Sequence, residues 1–81
     1  RTMGAVWAAV AALDPGLKTA LLLRDVAGLS YGEIADSLEI TLATVKWRIF
    51  KAREEVQAAL EREGVGFSTP AGRAVQGLGD D

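Results

Sequence analysis

The chain has 81 residues, with 9 Lys and Arg against 11 Asp and Glu, for a formal net charge of −2. It holds no cysteine and no histidine, which excludes a disulfide framework and a thiolate or imidazole metal site, and removes the commonest general base. Metal could be held only by carboxylates, no catalytic constellation is visible, and a binding role without cofactor is the expectation. A chain this short is one domain that buries about 60% of its unfolded surface. No apolar stretch reaches the roughly 18–20 residues that span a bilayer. Nothing resembles a signal peptide, and a start at Arg1 reads as a piece of something longer, with a cytoplasmic address and no membrane partner.

In chain order, residues 3–13 are alanine-rich, with Met3, Val6, Trp7, Val10 and Leu13 at the helical period. Met3 and Trp7 are expected in the core. Asp14 is placed to cap a second helix over about 15–27, with Pro15 at its first position. That helix carries Leu17, Ala20, Leu21, Leu22, Leu23 and Val26. The leucine cluster is too wide for one narrow stripe. Ordinary burial accounts for most of it, and part can line a groove for a partner helix. Gly28 supplies the left-handed residue that ends the helix, and Leu29 packs back on its last turn.

Residues 30–53 read as two helices joined by a tight turn. Ser30 caps the first, and Glu33 three residues later completes a capping box. Ile34, Ala35 and Leu38 give that helix one apolar stripe. Thr41 is a good N-cap for the second, whose Val45, Ile49, Ala52 and Val56 recur at i, i+4, i+7 and i+11. Lys46, Arg48, Lys51 and Arg53 lie between 42 and 53 with no acidic residue among them. The acidic residues flank this segment, so a negative total still allows a positive ridge. This is the plan of a DNA-binding helix-turn-helix. The basic helix continues to about Glu63 and Gly64 stops it. The expected fold is therefore all-α: a small four-helix domain over 1–63 with a flexible C-terminal tail over 64–81. That tail has too few large apolar residues for a core, unless Phe67, Val75 and Leu78 dock.

With Val45, Ile49, Ala52 and Val56 inward, about 100° per residue turns Ala43, Trp47, Phe50, Lys51 and Glu54 outward. Thr44 and Arg48 fall on one flank, Lys46 and Arg53 on the other. One reading is a major-groove face, with Lys46 and Lys51 on phosphates or guanine edges and Trp47 and Phe50 on base methyls. The other is that these aromatics pack on the tail or another protein. Arg48 either pairs with Glu33 or contacts phosphate; if exposed, such a pair contributes no more than about 1 kcal/mol. Ser30 and Tyr31 stand at a helix N-terminus, where backbone N–H groups favour phosphate, although Ser30 can equally serve only as a cap.

Leu13 to Val56 resembles region 4 of bacterial sigma factors, most closely the extracytoplasmic-function group. The matching text is Ala12-Leu13-Asp14-Pro15, then Leu21 through Ala35 with its Gly28-Leu29-Ser30-Tyr31-Gly32-Glu33-Ile34 core, then Thr44 through Arg53. The resemblance implies a domain that reads the −35 element of double-stranded promoter DNA. It also implies docking on the β flap of RNA polymerase core and control by an anti-sigma factor. The implied DNA-binding set is Lys18, Ser30, Tyr31, Thr41, Thr44, Lys46, Trp47, Arg48, Phe50 and Lys51, with Lys18 standing where the family often has arginine.

Three positions depart from the family pattern. Glu39 replaces a glycine where a left-handed residue is wanted, so it adopts that conformation or the turn differs. Ala43 replaces a frequent glycine, harmless in a helix. Trp47 replaces a small serine on the DNA-facing side, and its indole packs on thymine methyls or blocks approach. Two other functions share parts of this pattern. One is a sigma-like mimic that binds an anti-sigma factor without DNA, favoured by Glu39, Trp47 and the acidic total. The other is a response-regulator DNA-binding domain, which the segment Arg48 to Arg53 fits less well.

Overall fold

A computed structural model describes residues 2–64. Apart from Gly64, the expected tail, with Phe67, Val75 and Leu78, lies outside the described residues. Four helices follow one another: α1 (Thr2–Ala11), α2 (Pro15–Asp25), α3 (Tyr31–Leu38) and α4 (Leu42–Arg62). The described residues are all-α, as the periodicity predicts. α4, about 31 Å long at 1.5 Å per residue, packs against each of the other three, and α2 also touches α3.

Each start is encoded locally, and one differs from expectation. Ser30 caps α3: its hydroxyl accepts from the Glu33 N–H at 3.0 Å, and the Ser30 N–H donates to Glu33 Oε1 at 2.8 Å. Two backbone donors that the helix leaves orphaned are thereby satisfied. Thr41 Oγ1 accepts from the Thr44 N–H at 3.1 Å and caps α4. Asp14 holds the N-cap position of α2, but its side chain makes no cap hydrogen bond. Pro15 has no N–H to satisfy, which lowers the demand at that end.

α2 ends at Asp25, two residues before the expected limit. The Val26 and Ala27 N–H groups both bond Leu22 O, and the chain then turns at Gly28 (φ +79) so that the Leu29 N–H reaches Leu23 O at 3.0 Å. Between α3 and α4, Glu39 adopts φ 58 and ψ 46. The Ile40 N–H bonds Ala35 O and the Glu39 N–H bonds Asp36 O, which is the two-bond pattern that closes a helix through a left-handed residue. Of the two alternatives for Glu39, the left-handed one is realised, at roughly 1–2 kcal/mol for a residue with a Cβ.

The core gathers Val10, Leu13, Leu17, Ala20, Leu21, Tyr31, Ile34, Ala35, Val45, Ile49 and Ala52, with Leu22, Leu23, Leu29, Leu38 and Val56 packed around it. The α4 stripe is as spaced in the sequence, and Leu60 extends it, fully buried. Burial of one such side chain stabilises by about 1.5–3 kcal/mol. Of the leucine cluster, Leu21 is buried, and Leu22 and Leu23 are partly buried against this core. Met3 and Trp7 are corrections: they are 62% and 51% exposed. α1 faces α4 through Val6, Ala9, Val10 and Leu13. Met3 lies in the first turn of α1, about a turn before Val6, and Trp7 flanks the contact face.

Candidate nucleic-acid interface

α4 enters the interface with its direction fixed at two points. Its first turn is held by Thr41, and Val45 and Ile49 are fully buried beneath the surface of interest. Packing between α2, α3 and α4 therefore decides which α4 side chains face outward. Leu42, Ala43 and Trp47 are exposed, Trp47 at 59%. Thr44, Lys46, Arg48, Phe50 and Lys51 are half-buried. Phe50, expected outward, is thus partly turned into the domain.

The four basic residues are not equivalent. Arg53 Nη2 donates to Asp25 Oδ1 at 2.7 Å and Arg53 Nε to Oδ2 at 3.4 Å, which ties α4 to the C-terminal end of α2. Burial lowers the Arg53 pKa, but the hydrogen bond and charge of Asp25, with Tyr31, outweigh it and raise the value. Lys51 lies 3.5 Å from Glu54 and 4.0 Å from Glu55, one turn along the same helix. Arg48 does not pair with Glu33, whose carboxylate is engaged in the capping box. Its guanidinium instead lies over the first turn of α2, with Nη1 3.4 Å from where a Cβ on Gly16 would stand. Arg48 therefore shares a surface with the start of α2, the turn that carries half-buried Lys18.

Other members of the sequence-derived set have local roles. Tyr31 is 1% exposed, so its ring belongs to the core and is not available to a ligand. Arg24 stacks over it, with Cζ 4.5 Å from the ring centroid, and donates to Leu29 O at 3.1 Å. The phosphate contact expected at this helix start rests on backbone N–H groups rather than on the ring, whose burial anchors α3. The Ser30 hydroxyl and N–H are both taken by the capping box. Thr41 and Thr44 hydroxyls lie 2.7 Å apart and bond each other. Asp25 was not singled out from sequence, because its partner stands 28 positions away. Among the described residues no group of three or more His, Cys, Asp or Glu is arranged to hold a metal ion. No described helix is long and apolar enough to cross a membrane.

The arrangement offers a helix with its apolar side sealed, its N-terminal turns exposed and cations on both flanks, which suits entry into a DNA major groove. Comparison with known proteins agrees with this geometry. The family profile "Sigma-70, region 4" matches residues 3–56. The chain is 47% identical over 49 residues to the RNA polymerase sigma-H factor of Pseudomonas aeruginosa, a match covering 60% of this chain and 25% of that protein. It is 43% identical over 49 residues to the ECF RNA polymerase sigma-E factor of Haemophilus influenzae, covering 60% of this chain and 26% of the relative. For the Escherichia coli K12 sigma-E factor the figures are 41% over 51 residues, 63% and 27%. The chain spans about a quarter of the length of these curated relatives. With the profile running from α1 into α4 across more than half its length, the chain belongs to the sigma-70 region 4 family.

Proposed function

We propose that this domain recognises the −35 element of promoter DNA within an extracytoplasmic-function sigma factor, and so directs RNA polymerase to initiate transcription. The observation that carries this reading is the surface of α4. Between Leu42 and Arg53 it bears no acidic residue, and Lys46, Trp47, Arg48 and Lys51 stand at its surface around a buried Val45 and Ile49. Lys46, Arg48, Lys51 and, on α2, Lys18 contact phosphate or guanine edges in this reading. Ser30 and Thr41 act through the helix starts that they cap, and Thr44 through its bonds to Thr41. The domain binds DNA and polymerase and catalyses nothing, and it works where promoter DNA is, in the cytoplasm.

Docking on the β flap of polymerase core and sequestration by an anti-sigma factor belong to the same proposal. Exposed Met3 and Trp7 support it, because they offer apolar surface to a protein partner. The family match sets aside the response-regulator alternative.

The test is a salt titration of binding to short duplexes, one of random sequence and one carrying GGAAC. The expected result is salt-sensitive binding with preference for GGAAC. Absence of binding at low salt overturns the reading in favour of a sigma-like module that binds only protein.

A further inference from the structure

We propose that Trp47 is a specificity-determining residue of α4, selecting promoter sequences by apolar contact with the C5-methyl groups of thymine in the major groove. This deepens the DNA-recognition reading above and rests on it.

The argument begins with what the exposed start of α4 can and cannot do. In a helix-turn-helix, the N-terminal residues of the second helix reach base edges. Here the exposed residues of the first two turns are Leu42, Ala43 and Trp47. None carries an amide, carboxylate or guanidinium able to form a two-bond contact with a base. Thr41 and Thr44 do carry hydroxyls, but these bond each other at 2.7 Å and hold the helix start. Lys46 and Arg48 stand on either side of Trp47 and are half-buried, placed for the phosphates that wall the groove rather than for its floor.

A large indole at 59% exposure is costly to leave in water, since it holds apolar area away from any partner. It cannot fold back into the core, because neighbouring Val45 and Ile49 already fill the inward side of α4 at 0% exposure. Among the groups on the major-groove floor, the thymine methyl is the one that apolar side chains read. Cations on both flanks hold the helix against the groove while Trp47 supplies the apolar contact. Ala43, one turn before Trp47, continues the same face, so the preference is for thymine rather than for guanine or adenine hydrogen-bonding edges.

The test uses the 81-residue chain, a GGAAC duplex, and copies of that duplex in which each thymine in turn is replaced by deoxyuridine. This removes a methyl group and leaves the hydrogen-bonding edges intact. Loss of one buried methyl corresponds to about a fourfold weakening. The expected result is such a loss at one or two thymines for the parent chain, and no further loss for Trp47→Ala on the same duplexes. Salt-sensitive binding that is indifferent to deoxyuridine overturns the inference and leaves the DNA-binding reading standing. Equal deoxyuridine sensitivity in the parent and in Trp47→Ala overturns the assignment to Trp47. No binding by the parent overturns both. Trp47 is surface-exposed, so Trp47→Ala keeps its core, and an unchanged thermal midpoint verifies this.

Discussion

Arg53 of α4 grips Asp25 at the end of α2 with a 2.7 Å hydrogen bond that joins the basic helix to the preceding helices. The contact gives one of the four cations of the basic segment a structural task. It also supplies a cation beside the C-terminal carbonyls of α2, where positive charge is favourable.

Both partners keep partial exposure, so their coupling is modest. A double-mutant cycle of Asp25→Ala and Arg53→Ala, followed by urea unfolding, should give about 0.5–1 kcal/mol, decreasing with added salt. The folded pKa of Arg53 is raised. Its contribution is therefore fully present below the unfolded value and lost only as pH rises through the folded one. The coupling should be unchanged between about pH 7 and pH 9, far below the range in which arginine titrates. A coupling that disappears across that interval would refute the assignment.

Glu39 is the sole non-glycine residue at positive φ among the described residues. Glu39→Gly removes the Cβ that opposes this conformation and should stabilise the domain by about 1 kcal/mol, offset in part by the greater freedom of glycine in the unfolded chain. In a domain of this size the thermal midpoint should rise by about 4–8 °C per kcal/mol. Glu39→Ala keeps the Cβ and should not show that rise.

Tyr31 should behave as a core residue. Tyr31→Ala should cost about 3–5 kcal/mol by analogy with other large aromatic truncations, enough to unfold much of a small domain as read by far-ultraviolet circular dichroism. Tyr31→Phe keeps the ring under Arg24 and should lose far less. DNA affinity of folded Tyr31→Phe should match that of the parent.

Lys51 is held between solvent, Glu54 and Glu55. If it contacts a phosphate, Lys51→Ala should reduce the salt slope of DNA binding by about one. Glu54→Gln should strengthen binding, because it frees Lys51 and removes a negative charge near the backbone. Equal slopes for the parent and Lys51→Ala, measured by fluorescence anisotropy, would remove Lys51 from the interface.

The sequence by itself determined the four helices, the capping box of Ser30 and Glu33, the Thr41 cap and the buried stripe Val45, Ile49, Ala52. These are set by contacts within about four residues, and caps and periodicity report such contacts directly. It also carried the family, through a basic helix at fixed spacing after a capped one. Only the tertiary structure decided what each outward residue is free to do. Arg53 is occupied because α2 delivers Asp25 from 28 positions away, and Arg48 lies over the start of α2, where Gly16 leaves room for its guanidinium. Tyr31 is buried and Met3 and Trp7 are exposed because helix packing, not hydrophobicity alone, fixes which side of each helix meets α4. Non-local pairing leaves no periodic trace in a sequence, so those choices became visible only once the helices were brought together.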